Sequence, residues 1–201
     1  NPCPDHAGSP PRAFGMITSI IVLAAGRSVR MGVQKLSLNY RGKPLLQCTL
    51  ERVLAANADE VLAVIPTGDQ ALLSIAADFP IRPVQVPPGG VMAASIVAGT
   101  CAARPDAGAI MIALGDMPDV KTATFRTLLN LATPEGIVVP TYKGQFGNPV
   151  VFGEAFRVSL TALTGEGGGR SVYEKHRDRV SFVAVDDPGI LRDIDRPEDL
   201  E

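Results

Sequence analysis

Val22-Leu23-Ala24-Ala25-Gly26-Arg27-Ser28-Val29-Arg30-Met31-Gly32-Val33-Gln34-Lys35 is the stretch on which the reading of this chain turns. The apolar run over residues 19–25 predicts a buried parallel strand, because a strand covered on both faces needs no alternation of polar and apolar positions. Two glycines follow, and glycine lets the backbone turn sharply and bring N–H groups close to an anion. Arg27, Arg30 and Lys35 add fixed positive charge at the same place. Backbone donors and cations at the carboxyl end of a strand are what a polyphosphate requires in an α/β sheet.

The commoner phosphate loops do not fit. No Lys-Ser or Lys-Thr follows Gly26 or Gly32, and this loop holds no G-x-G-x-x-G. The residues instead spell L-A-A-G-x-S-x-R-M-G-x-x-K. In this they resemble the MobA-like nucleotidyltransferases, which transfer a nucleoside monophosphate to a phosphate and include the enzymes that make dinucleotide forms of the molybdenum cofactor. The resemblance extends over residues 17–200.

Outward from that loop, apolar strand-like runs alternate with amphipathic stretches at helical spacing. Strands are expected at 19–25, 60–65, 81–86, 108–114, 136–139, 148–152 and 180–185. Helices are expected at 44–56, 68–77, 90–103, 121–132, 154–163 and 170–177. Residues 142–147 and 165–169 read as loops. Repeated βα units predict an α/β, Rossmann-like three-layer sandwich with a mostly parallel sheet and right-handed crossovers. The resemblance implies the nucleotide-diphospho-sugar transferase variant of that architecture. The change of rhythm after Pro140 points to an antiparallel strand or small insertion over the cleft.

The 201 residues suit one α/β domain, expected over residues 16–201. A hydrophobic share of 46% against 20% charged is the profile of a soluble globular protein. The net charge of −2, with no long basic run, argues against broad nucleic-acid binding. Three dispersed cysteines, Cys3, Cys48 and Cys101, give neither a disulfide framework nor a zinc site. No apolar run reaches membrane-spanning length. Residues 1–15, rich in Pro and Gly, do not read as a secretory signal and are expected to be a disordered tail, with Met16 a candidate native start. A cytoplasmic location follows from that reading.

Leu114-Gly115-Asp116-Met117-Pro118 places a carboxylate after another apolar strand, at the sheet edge that carries the glycine loop. Nucleotidyl transfer needs a cation to neutralise charge on the α-phosphate and on pyrophosphate, and Mg²⁺ takes one or two carboxylates with phosphate oxygens and water. Asp116 is the candidate first ligand. The terminal Arg192-Asp193-Ile194-Asp195-Arg196-Pro197-Glu198-Asp199 resembles the D-I-D-T-P-E-D end of the same family, with Arg196 where Thr is common. Either Asp193 or Asp195 is then the second ligand, and Asp195 is preferred. A helix N-cap at Asp195 is the competing reading.

The resemblance implies further roles. Lys35, Arg30 and Asp116 would be catalytic. Leu23, Ala24, Ala25, Gly26, Arg27, Ser28, Arg30 and Lys35 would bind nucleotide, as would Gly90 and Ser95 from a G-G-x-x-x-x-S segment over residues 89–99. Asn148, Glu166 and Arg170 would face the acceptor, and two of these depart from the family pattern. Asn148 replaces His in G-H-P-V, which loses a titratable ring, and Glu166 replaces Asp in G-D-x-G-A-R. L-A-A-G in place of L-A-G-G points to the cytidylyltransferase branch, hence CTP rather than GTP, with a molybdopterin-type cofactor as acceptor. A molybdoenzyme or its chaperone would be a partner. The alternatives are a sugar or polyol phosphate as acceptor, and a non-catalytic nucleotide- or cofactor-binding chaperone.

Overall fold

A computed structural model describes residues 15–26, 34–165 and 168–200. All but Gly15 of the expected tail, together with Arg27, Ser28, Arg30 and Glu166, lies outside the described residues. The main sheet is built on β1 (Thr18–Leu23). Along β1, Ile20 and Val22 enter one apolar core while Ile21 and Leu23 enter a second on the opposite face. That two-residue alternation between two buried faces is why the strand reads as an unbroken apolar run. Full burial of each such side chain stabilises by about 1.5–3 kcal/mol, so β1 anchors the domain.

Following β1, a two-stranded ribbon forms from β2 (Asn39–Tyr40) and β3 (Lys43–Pro44) and leads into α1 (Leu45–Leu54). Then come β4 (Glu60–Pro66), α2 (Gln70–Ala77), β5 (Arg82–Val86) and α3 (Met92–Ala102). Next are β6 (Ala109–Leu114), α4 (Thr122–Asn130), β7 (Ile137–Tyr142), β8 (Gln145–Phe146) and β9 (Val150–Gly153). The chain closes with α5 (Arg157–Thr161), α6 (Gly169–Lys175) and β10 (Val180–Ala184). The order across the sheet is β10-β7-β9-β6-β1-β4-β5, with β8 paired to β7. The β1–β4, β1–β6, β4–β5 and β7–β10 pairs are parallel. One core holds Leu45, Leu50, Leu72 and Leu128 from α1, α2 and α4. The other holds Ile96, Leu160 and Val172 from α3, α5 and α6. Helices therefore cover both faces, giving the expected three layers.

Three expectations need correction. The antiparallel element is not laid over the cleft: β9 is inserted into the middle of the sheet, antiparallel to both β6 and β7. Its buried Val151 and Phe152 join the two cores. Residues 142–147 are not simply a loop, because β7 continues through Pro140 to Tyr142 and turns back as β8. Proline is tolerated there because β9 pairs with β7 only at Ile137 and Val138, so Pro140 owes no N–H to that ladder. The helix expected over 154–163 is shorter, a 3₁₀ turn at Glu154–Phe156 followed by α5.

The chain runs outward from β1 through β4 to β5, then returns by α3 to β6 on the other side of β1. This reversal opens a crevice at the carboxyl ends of β1 and β6, where α/β sheets hold their ligands.

Candidate active site

Leu23 and Leu114 are register partners at the ends of β1 and β6, so the glycine loop and the Asp116 loop emerge side by side. The Gly115 N–H donates to the Leu23 carbonyl at 2.9 Å. Its own carbonyl accepts from Thr49 Oγ1 of α1 at 2.9 Å. These contacts fix the main chain immediately before Asp116.

Lys35 begins a 3₁₀ turn, Lys35–Ser37, that is pinned on both sides. Leu36 is buried in the first core, and Gln34 Nε2 donates to Asp69 Oδ2 at 2.8 Å. Asp69 is itself the N-cap of α2, accepting from the Leu72 N–H. So held, the Lys35 ammonium donates to Asp116 Oδ2 and to Asp195 Oδ1, each at 2.7 Å. The Lys35 side chain is 12% exposed. Burial works against its charge, but the Asp116 and Asp195 carboxylates outweigh that and hold its pKa above the ordinary value. Asp116 is pushed upward by burial, assisted by the Asp193 charge, against the pull of Lys35. The cluster therefore concentrates negative charge around a bound cation in a poorly solvated place.

Asp195 reaches this cluster because the terminal segment is tied along its length. The carboxylate of Asp187 is buried and accepts from the Lys121 N–H at 2.8 Å and from Thr124 Oγ1 at 2.6 Å, at the start of α4. The Asn148 N–H donates to the Ile190 carbonyl at 3.0 Å, and the Ile194 N–H to the Asp116 carbonyl at 2.9 Å. Within the final turn, Pro197–Leu200, Asp199 Oδ2 accepts from the N–H groups of Asp195 and Arg196 at 3.2 and 2.9 Å. Thus the Asp195 side chain faces Lys35, and the Asp199 carboxylate ties back the main chain that leads into the turn.

Leu23, Ala25, Gly26, Lys35, Gly90, Ser95, Asp116, Asp193 and Asp195 line one cavity of about 340 Å³. Nearly all the described nucleotide-binding candidates are thereby brought together. Ala24 is the exception: it is fully buried in the first core and its N–H donates to the Val64 carbonyl at 2.8 Å. Gly99, from the same small-residue segment, is a packing residue. A Cβ there would stand 2.5 Å from Ile21 Cγ2. A second cavity of about 200 Å³ is lined by Asn148 and Arg170, and shares Met92 and Leu114 with the first.

Sequence reasoning missed Asp119. Its carboxylate accepts from Tyr40 Oη at 2.9 Å, Arg41 Nη1 at 3.0 Å and Arg192 Nη1 at 3.0 Å. It joins the ribbon after Lys35 and the segment before Asp195 to the loop that carries Asp116. The signal in the sequence was a second carboxylate three residues after Asp116, facing a tyrosine otherwise wholly buried.

The fold agrees with that of known proteins. The MobA-like NTP transferase domain matches residues 20–180. The chain belongs to the MobA-like NTP transferase family. It is 30% identical to the purine catabolism protein PucB of Bacillus subtilis (strain 168), over 90% of this chain and 93% of that one. It is 27% identical to the nicotine blue oxidoreductase of Paenarthrobacter nicotinovorans, again over 90% and 93%. Its fold matches Rv0371c from Mycobacterium tuberculosis H37Rv with a TM-score of 0.82 and 31% identity, covering 92% of this chain and 95% of that one. A manganese complex of that mycobacterial protein matches with a TM-score of 0.74 and 27% identity, over 85% and 88%. This MobA-like chain is accordingly a nucleotidyltransferase, and the crevice between β1 and β6 is its candidate active site.

No trio of His, Cys, Asp or Glu side chains among the described residues is arranged to hold a metal by itself. Asp116 and Asp195 nonetheless fit a hard divalent cation. They form an all-oxygen donor pair, an ammonium ion already lies between them, and Mg²⁺ completes its shell with phosphate oxygens and water.

Proposed function

We propose that this MobA-like enzyme transfers CMP from CTP to the phosphate of a molybdopterin-type cofactor, releasing pyrophosphate, with Mg²⁺ held by Asp116 and Asp195. The observation that carries this reading is the Lys35–Asp116–Asp195 cluster in a cavity that shares Met92 and Leu114 with a second one. One cavity would take the nucleotide and the other the acceptor.

The acceptor phosphate oxygen attacks the α-phosphorus in line, the bond to the β-phosphate oxygen breaks, and pyrophosphate leaves. No protein nucleophile is needed, so catalysis rests on positioning and on neutralising charge. The ammonium of Lys35 holds the triphosphate, assisted by Arg30. Asp116 and Asp195 turn their carboxylates toward the same point. Mg²⁺, when bound, supplies Lewis-acid stabilisation of the departing charge. Ser95 and Gly90, which line the first cavity, would meet the nucleoside. Asn148 and Arg170, which line the second cavity, would meet the acceptor.

Base choice rests on Ala25, a buried residue whose methyl group lines the nucleotide cavity and favours the smaller pyrimidine. Pocket fit of this kind discriminates by about 1–3 kcal/mol. The test is pyrophosphate release with molybdopterin cofactor, Mg²⁺ and each of four NTPs, on wild type and on Ala25→Gly. A preference for CTP of roughly 10- to 200-fold in kcat/KM, narrowed in the variant, is expected. A wild-type preference for GTP moves the chain to the guanylyl branch. Release only with a sugar or polyol phosphate removes molybdopterin from the reading.

A further inference from the structure

The second cavity carries an aromatic feature that nucleotidyl transfer does not itself require. Phe146 lines it together with Asn148, Ile96, Ile112 and Phe152. Phe146 belongs to the two-residue strand β8, yet it remains 42% exposed. Its ring stacks on Phe182 of β10, with centroids 4.7 Å apart and an interplanar angle of 26°. Phe182 is 41% exposed as well. A phenyl pair serving only the core would be covered by a helix. Of the pair, Phe146 lines the second cavity and Phe182 backs its ring.

The pair is also rigidly mounted. Tyr142 and Gln145 are register partners, and the two residues between them, Lys143 and Gly144, have φ of 48° and 79°. Positive φ at both central residues is the I′ hairpin, whose twist matches that of its strands. Phe146 is the register partner of Thr141, and Ala184 pairs with Thr141 from the other side, with Phe182 two residues before it. Both rings therefore project from the same sheet face, on the two strands that flank β7. A preformed aromatic wall favours a flat ring, because an offset stack gains dispersion and quadrupole terms without further ordering of the protein.

We propose that Phe146, backed by Phe182, is a specificity-determining residue that stacks on a planar heteroaromatic ring of the acceptor. The amide of Asn148, able both to donate and to accept, reads polar atoms on the edge of that ring. This inference rests on the assignment of the second cavity to the acceptor. It goes beyond that assignment by requiring a planar heteroaromatic ring in the acceptor rather than an acyclic polyol phosphate.

The experiment is equilibrium binding of a free pterin to the full chain, read by calorimetry and by quenching of pterin fluorescence. F146A, F146W and F182A are compared with wild type, with a CTP titration on each as control. F146A is expected to weaken pterin binding by roughly 5- to 150-fold, the range lost when a stacking aromatic is removed. F146W is expected to retain binding. F182A, which removes only the support behind the stack, is expected to lose less than F146A. CTP affinity is expected to stay at the wild-type value in all three, which also reports that they fold. Wild-type pterin affinity in F146A, or no pterin binding by wild type, overturns the inference. Pterin binding that depends on Phe146, without pyrophosphate release from CTP and molybdopterin, upholds the stack and overturns the proposed reaction. Turnover by F146A at the wild-type acceptor KM does the reverse.

Discussion

The Lys35 ammonium donates to Asp195 Oδ1 at 2.7 Å across 160 residues of chain, and it spans the same distance to Asp116 Oδ2. One cation thereby joins the loop after β1, the loop after β6 and the terminal segment. Each of these is anchored separately: by buried Leu36, by the Gly115–Leu23 main-chain bond and by buried Ile194. The charged groups are thus placed before any ligand arrives, as electrostatic catalysis requires.

Asp116→Ala is expected to lower turnover by roughly 100-fold or more, a barrier increase of about 2.7 kcal/mol. Folding is expected to persist, because the Asp116 carbonyl, which accepts from the Ile194 N–H at 2.9 Å, is retained. Steady-state kinetics at saturating Mg²⁺ and a melting curve check both parts. Near wild-type turnover would remove Asp116 from the catalytic set.

Lys35→Ala leaves the Asp116 and Asp195 carboxylates facing one another without the ammonium between them. Like charges at close range favour a bound cation. Mn²⁺ or Mg²⁺ is therefore expected to raise Tm more in this variant than in wild type, while binding of a CTP analogue weakens. Thermal shift and calorimetric titration measure the two effects. Equal metal-induced shifts in both proteins would place the metal away from Lys35.

Gly99→Ala tests the packing of α3 on β1. Its Cβ would meet Ile21 Cγ2 at 2.5 Å and Val64 Cγ2 at 3.1 Å, both on buried strand residues with little room to move. Overpacking of this kind costs about 1–3 kcal/mol, against a helix-propensity gain of up to about 1 kcal/mol. A net loss of about 1–2 kcal/mol is expected, a fall in Tm of roughly 2–8 °C for a domain of this size. An unchanged or higher Tm would contradict the close approach.

Glu60 sets an acid limit to stability. Burial opposes its charge, but the Arg104 N–H at 2.9 Å, Ser19 Oγ at 2.7 Å and Arg82 Nη2 at 2.9 Å outweigh it and hold its pKa below the ordinary value. A carboxyl whose folded pKa is depressed contributes its stabilisation above the unfolded value of about 4.3 and loses it as pH falls through the folded value. Glu60→Gln should be less stable than wild type at neutral pH, with the difference shrinking below about pH 4. Melting curves from pH 7 to pH 3 test this, and parallel curves for the two proteins would refute it.

Most of the donor half of the site was legible in the sequence, since each part is local. An apolar run ending in glycines fixes where the main chain turns. An Asp directly after such a run lies at the sheet edge whatever the strand order. Thus Lys35, Asp116 and the lining residues Leu23, Ala25, Gly26, Gly90 and Ser95 meet in one cavity. Tertiary structure decided what depends on pairing between distant segments. Nothing local distinguishes a strand laid over a cleft from one inserted antiparallel between β6 and β7, because the hydrogen bonds that choose lie on other strands. Nor does spacing reveal that Asp195 meets Lys35 while Asp199 ties back the main chain before the final turn. Those directions follow from how the terminal segment is tied at Asp187, Ile190 and Ile194. The Asp119 clamp and the Phe146–Phe182 stack were hidden for the same reason: each member is ordinary in its own stretch, and only the fold makes them neighbours.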